Sequence, residues 1–178
     1  MKYFKKIVGK RLYLSPLSLD DAEIFTKWVN DPAVSCNLGN YPAQISLSSE
    51  KTYLEDLAKK HCYSIVLHDG DVMIGNLGLG DIDHRSRKAT LGIMIGEAEM
   101  RGKGYGTEAI CLILDYGFNT LNLHNIMLYV HADNGQGIAC YKKAGFREFG
   151  RRRESHFKNG RYIDVIHMEI LSTEWGKS

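Results

Sequence analysis

Excess charge of either sign is what this chain has least of. Its 23 Lys and Arg stand against 21 Asp and Glu, a formal net charge of +2 over 178 residues. So small an excess, with no basic stripe interleaved with aromatics, argues against a nucleic-acid partner. The densest basic cluster, Arg151-Arg152-Arg153, reads as a solvated strand end, with a phosphate contact as the alternative. No apolar run approaches the ~20 residues that cross a bilayer. The opening MKYFKKIVGK carries charge without the apolar stretch of a secretory signal, so the expectation is a cytoplasmic protein with no membrane partner. The cysteines Cys36, Cys62, Cys111 and Cys140 form no Cys-x-x-Cys pair and read as small core residues. None of the seven histidines stands three or four residues from another, and no metal is expected. No repeat or linker appears, and a 44% apolar composition fits one compact domain over residues 1–178.

What the chain does have is glycine in one telling place. Arg101-Gly102-Lys103-Gly104-Tyr105-Gly106-Thr107 lies between an apolar run, Ala89 to Ile95, and a segment of helical periodicity. Glycines let successive backbone N–H groups turn inward, and a helix N-terminus adds unpaired donors and the positive end of its dipole. A pyrophosphate is the natural guest. A dinucleotide fingerprint would need Gly or Ala where Thr107 stands, and a P-loop would need a glycine one residue after Gly96 and Ser or Thr where Gly104 stands. What remains is Arg-x-x-Gly-x-Gly, carried by Arg101, Gly104 and Gly106.

A second segment agrees with the first. Asn134 to Phe146 reads Asn-x-x-x-Ile-x-x-Tyr-x-Lys-x-Gly-Phe, with Ile138, Tyr141, Lys143 and Gly145 at the fixed places. Asn134 is a good N-cap, and Gly145 suits the left-handed residue past a helix end. Together the two segments resemble the coenzyme A loop and the following helix of GNAT superfamily acetyltransferases.

Periodicity fills in the plan. Arg11 to Leu17 alternates as a strand, and Ser18 with Asp21 opens a helix that ends before Pro32. A second helix starts near Ser48 with Tyr53, Leu54, Leu57 and Ala58 on one face. Strands Tyr63 to Leu67 and Val72 to Leu79 flank Asp69-Gly70. Ala89 to Ile95 is a strand, and Ile110, Ile113, Leu114, Gly117 and Leu121 form the buried face of the helix after the glycine loop. Ile126 to Val130, the Asn134 helix, and a hairpin of Phe146 to Phe157 and Tyr162 to Ile170 around Asn159-Gly160 complete the chain. The expected fold is α/β: a single mixed, mostly antiparallel sheet of six to seven strands with helices on both faces. The segments Arg11 to Leu17, Trp28 to Pro32 and Asn159 to Asp164 look like the ribosomal-protein acetyltransferase group, RimJ/RimL, and also like bacterial spermidine acetyltransferases.

The resemblance implies an N-acetyltransferase that moves acetyl from acetyl-CoA to a primary amine: a protein N-terminus, a polyamine or another small amine. It implies cofactor contacts from Arg101, Gly102, Lys103, Gly104, Tyr105, Gly106 and Thr107, and from the main chain of Ile93, Met94 and Ile95, which supplies the oxyanion N–H. That strand and Ile126 to Val130 would run parallel and splay apart. Tyr141 is implied beside the thioester. With an ordinary pKa of about 10 it is protonated at neutral pH and can donate to the leaving sulfur. Asn134 either bonds the pantetheine amide or only caps its helix. Many relatives carry a glutamate where Thr90 stands, leaving the base unassigned. Asp81 and Asp83 either draw in a cationic amine or form a polar turn, and Glu97 and Glu99 read as solvent-facing. An acyl-CoA sensor without turnover is the alternative, favoured by the missing glutamate and opposed by Tyr141. Dimers are common among such proteins, so a homodimer is a further expectation.

Overall fold

A computed structural model describes residues 2–39 and 43–176. Its eight strands are β1 (Ile7–Val8), β2 (Leu12–Pro16), β3 (His61–Leu67), β4 (Met73–Asp83), β5 (Lys88–Ile95), β6 (Asn125–His131), β7 (Arg147–Lys158) and β8 (Arg161–Leu171). Its helices are α1 (Ala22–Asn30), α2 (Pro32–Ser35), α3 (Leu47–Ala58), α4 (Tyr105–Asp115) and α5 (Gly135–Lys143). The sheet runs β1-β2-β3-β4-β5-β6-β8-β7, all antiparallel except β5 with β6. It therefore has eight strands rather than six to seven. The extra one, β1, pairs only Ile7 with Leu14 and Val8 with Tyr13, too short a stretch to show alternation in sequence.

Alternation along the strands divides the core. Leu12, Leu14, Ile65, Leu67, Ile74 and Leu77 point to the face covered by α4, where Ile110, Ile113 and Leu114 are fully buried. Tyr13, Val66 and Met73 point the other way, onto Phe25 and Trp28 of α1, Val34 of α2 and Leu54 of α3. Helices thus cover both faces, as a period of two in strands and 3.6 in helices requires.

Local chemistry sets the boundaries. Ser18 caps a short 3-10 turn over Leu19–Asp21 rather than α1 itself. Asp31 caps α2 by accepting from the Ala33 N–H, so Pro32 ends one helix and opens the next at the position where a missing N–H costs nothing. Asn159 and Gly160, both at positive φ, turn β7 into β8. In α3 the expected apolar face is not a core face. Leu54 is fully buried, but Tyr53 is 57% exposed and Ala58 is exposed as well.

Candidate active site

The β5–β6 pairing stops early. It joins Lys88 to Asn125, Ala89 to Ile126 and Thr90 to Met127, and beyond that point the strands part. The Gly96 N–H bonds the Ile74 carbonyl across β4, which fixes the antiparallel alternation: Met94 and Gly92 bond toward β4, while Ile93 and Ile95 turn their main chain toward the gap. The Ala132 N–H bonds the Asp164 carbonyl on the far side, so by the same alternation Tyr129 and His131 turn theirs toward the gap from β6. Of the three residues expected to offer main chain here, Ile93 and Ile95 do so. Met94 does not, because its backbone belongs to the β4 ladder and its side chain packs against the α1 cluster.

At the wide end of the gap lies the glycine loop. Gly102 (φ +74) and Gly104 (φ +82) hold conformations that side chains disfavour, and Gly104 is the left-handed residue preceding α4. No side chain caps α4. Among the described residues, the backbone N–H groups from Gly102 to Thr107 have no protein acceptor. Six consecutive free donors at a helix N-terminus suit a diphosphate.

The loop is held from outside by side chains. Arg101 turns its guanidinium away from the free donors and gives bonds to the carbonyls of Ile95 (3.0 Å), Gly96 (3.0 Å) and Ala33 (3.2 Å). Its head group therefore ties the loop to β5 and α2. Arg11, which sequence reasoning did not single out, donates to the Lys103 carbonyl (2.9 Å), pairs with Glu108 (2.7 Å) and stacks 4.6 Å from the Tyr105 ring centroid. Glu97 is not solvent-facing: it accepts from the Trp28 indole N–H at 3.0 Å. Glu99 is exposed, as expected.

Helix α5 forms the opposite wall. Asn134 caps it by accepting from the Gly137 N–H at 2.9 Å and also borders the cleft. Thr107 Oγ1 lies 3.3 Å from Cys140 Sγ, where α4 and α5 meet. Tyr141 packs edge-on against Phe146, with centroids 6.1 Å apart. Burial, with a smaller contribution from the Cys140 thiol, pushes its phenol up to about 12.

Two cavities meet at Tyr141. One, about 400 Å³, runs along Ile93, Ile95, the glycine loop and Asn134. The other, about 730 Å³, lies toward α3 and is bordered by Glu50, Tyr53, Leu57, Asn76, Asp81 and Thr90. Both include Tyr129 and Tyr141 in their walls. Tyr53 and Leu57, placed on one face of α3 by their spacing, thus face a cavity. Asp83 is a turn residue, accepting from the N–H groups of Arg85 and Ser86. Asp81, at positive φ beside a bulge, stands at the cavity rim. Arg151, Arg152 and Arg153 lie exposed on β7, where Arg151 pairs with Glu148 and Asp164.

A sheet that splits beside a glycine loop, with a tyrosine between two cavities, is the architecture of an acyl-CoA-dependent transferase. Residues 11–147 match the family described as Acetyltransferase (GNAT) domain, and the chain belongs to that family. It is similar to the spermidine N(1)-acetyltransferase of Vibrio cholerae, 36% identical over 150 residues covering 78% of this chain and 86% of the relative. The Escherichia coli K12 spermidine N(1)-acetyltransferase is 32% identical over 162 residues, covering 88% and 78%. Among solved structures, the Vibrio cholerae enzyme in complex with CoA and spermine superposes with a TM-score of 0.82 at 31% identity, covering 93% of this chain and 98% of that one. A GNAT acetyltransferase from Bacillus anthracis superposes at 0.84 and 18% identity over 94% and 99%, a likeness of fold alone. The chain is an N-acetyltransferase with acetyl-CoA as its acyl donor. Among the described residues no helix is long and apolar enough to cross a membrane.

Proposed function

We propose that the enzyme acetylates a primary amine by direct attack, with Tyr141 as the proton donor to sulfur and residues 1–178 acting as one acetyltransferase domain. The observation that carries this reading is the run of free amides leading, along the open side of β5, to a tyrosine shared by two cavities. Acetyl-CoA, when bound, supplies an acetyl thioester whose carbonyl carbon is the electrophile.

The main-chain N–H groups from Gly102 to Thr107 receive the diphosphate. Arg101 and Arg11 hold that loop in place, and the Lys103 and Thr107 side chains border it. Ile93 and Ile95 pair with the pantetheine arm as an added strand would, and one of their N–H groups stabilises the carbonyl oxygen as negative charge develops. Asn134 holds the α5 N-terminus beside that arm.

An amine enters from the α3 side. A lysine-like amine, with a pKa of about 10.4, must lose a proton before it attacks. The nitrogen bonds to the carbonyl carbon, and the carbon–sulfur bond breaks. Tyr141 gives its proton to the departing sulfur, and the resulting phenolate is reprotonated by the proton that the new amide nitrogen sheds. A phenol near 12 is a weak acid beside an ordinary thiol of about 8.5. The proton therefore passes as the carbon–sulfur bond breaks and negative charge develops on sulfur. Thr90 borders the acceptor cavity and has no carboxylate to take the amine's first proton. That proton leaves through the open cavity.

The acceptor is a polyamine, another small amine or a protein N-terminus. Purified protein with acetyl-CoA and a panel of spermidine, simple amines and peptides with free N-termini tests the reading by release of free CoA. Release above the buffer rate with at least one amine supports it. CoA binding with no release from any amine favours a sensor instead. Self-association also fits the chain, since β7 is an edge strand with Phe149 and Phe157 exposed, and the Vibrio cholerae relative has a dodecameric structure.

A further inference from the structure

The larger cavity has one feature that acyl transfer does not use. Its charged wall residues are Glu50, Lys60 and Asp81, of which Lys60 and Asp81 are exposed at the rim. Glu50 is only 3% exposed, one helical turn from the fully buried Leu54. A carboxyl on so buried a side chain is ordinarily paired, because desolvation of an unpaired charge is costly; the Glu50 oxygens instead stay open to the cavity. The chain obeys this rule elsewhere. Buried Asp21 is bonded to Lys2 and Tyr3, and buried Lys158 is paired with Asp133 at 2.8 Å. Among the described residues, the Glu50 carboxylate has neither a hydrogen bond nor an ion pair. Burial pushes its pKa above the ordinary carboxylate value.

The space open to that carboxylate is the cavity itself. Tyr53 and Cys62 share it, and burial raises the Tyr53 phenol above its ordinary value, with smaller contributions from neighbouring Cys62, Glu50 and Tyr129. Tyr141 lies in the same wall as Tyr129. A single cavity therefore offers a proton donor at one place and an unanswered negative charge at another. The missing partner is a cation brought by the ligand.

We propose that Glu50 determines acceptor specificity: its carboxylate receives a second cationic group of the amine while the reacting nitrogen lies at Tyr141, so that diamines are preferred to monoamines. This rests on the reading of the larger cavity as the acceptor side. Glu50 is a positioning residue, acting on where the acceptor lies and not on the reacting atoms.

The test compares 1,4-diaminobutane with n-butylamine, by calorimetry on the CoA-saturated protein and by steady-state kinetics, in the wild type, Glu50→Gln and Glu50→Asp. The wild type is expected to favour the diamine about tenfold or more, a typical scale for a shielded charge pair. Glu50→Gln should reduce the preference to within about twofold through KM rather than kcat, and Glu50→Asp should keep part of it. A preference unchanged in Glu50→Gln, or absent in the wild type, overturns the proposal. Discrimination confined to the peptide pair Ser-Lys-Gly and Ser-Gly-Gly would overturn the small-diamine assignment. The two readings fail separately. Charge-dependent amine binding without acetylation removes the transferase reading and leaves Glu50 standing, whereas equal kcat/KM for both amines removes Glu50 and leaves acyl transfer intact.

Discussion

Arg11 and Glu108, 97 positions apart, meet at 2.7 Å through the guanidinium Nε and a carboxylate oxygen, and the Arg11 N–H adds a second bond at 2.8 Å. The same guanidinium bonds the Lys103 carbonyl and covers the Tyr105 ring. One side chain at the start of β2 therefore holds both the glycine loop and the first turn of α4.

Arg11→Ala is expected to raise the KM for acetyl-CoA several-fold. The Arg11 side chain is half exposed, so the stability loss is expected to be modest, about 1 kcal/mol by urea titration. The pH dependence gives a second readout. Burial alone would raise the Glu108 carboxyl, but the bonds from the Arg11 N–H and guanidinium more than offset it and hold it below its ordinary 4.5. The native state thus binds this proton later than the unfolded chain does. The stabilisation is complete above the unfolded value and is lost as pH falls through the lower native one. In Arg11→Ala that acid-side loss should shrink, and an unchanged acid limb would remove the coupling.

Gly104→Val places a β-branched side chain at φ +82, with its Cβ about van der Waals distance from Arg11 Nη2 (3.4 Å). Left-handed backbone costs an ordinary residue roughly 1–2 kcal/mol, and the side chain would stand among the free N–H groups. Calorimetry should show CoA binding weakened by about tenfold or more, following from that cost. Wild-type affinity in this variant would mean that the loop is not the phosphate site.

Tyr141→Phe is expected to lower kcat by roughly one to two orders of magnitude with little change in CoA affinity, the usual scale of a general acid. Because burial pushes the phenol up to about 12, Tyr141 stays protonated well past pH 10. The kcat profile should therefore show no falling limb from this group below about pH 11. A falling limb near pH 10 that disappears in Tyr141→Phe would contradict the buried setting.

Gly96→Ala probes the frame around the site. A Cβ at Gly96 would stand 2.0 Å from the Trp28 ring, which is itself fixed by its bond to Glu97. Overpacking of this kind costs about 1–3 kcal/mol, and thermal denaturation should show it as a lower Tm. No change in Tm would mean that α1 can slide away from β5.

The parts of this site legible in the sequence are those made by neighbours in the chain. Gly102, Gly104 and the Asn134 cap act within a few residues of themselves, so their spacing carries their geometry. The parting of β5 from β6 followed from resemblance, since alternation reports which side a residue faces and not where pairing ends. Arg11 with Glu108, and Trp28 with Gly96 and Glu97, were not legible because each joins segments that only the folded sheet brings together. The α3 face shows a subtler limit. Its periodicity located Tyr53 and Leu57 correctly on one side, but a hydrophobic stripe does not say whether it meets a core or a cavity. Glu50 was hidden for the same reason, as a polar residue in a helix that read as ordinary.

The most direct measurement is a CoA titration followed by backbone amide shifts in isotope-labelled protein. The largest changes are expected at Gly102 to Thr107 and at Ile93 and Ile95, with Met94 changing less because its N–H stays in the β4 ladder. Saturable binding whose shifts fall elsewhere, leaving the loop amides unmoved, would contradict that expectation.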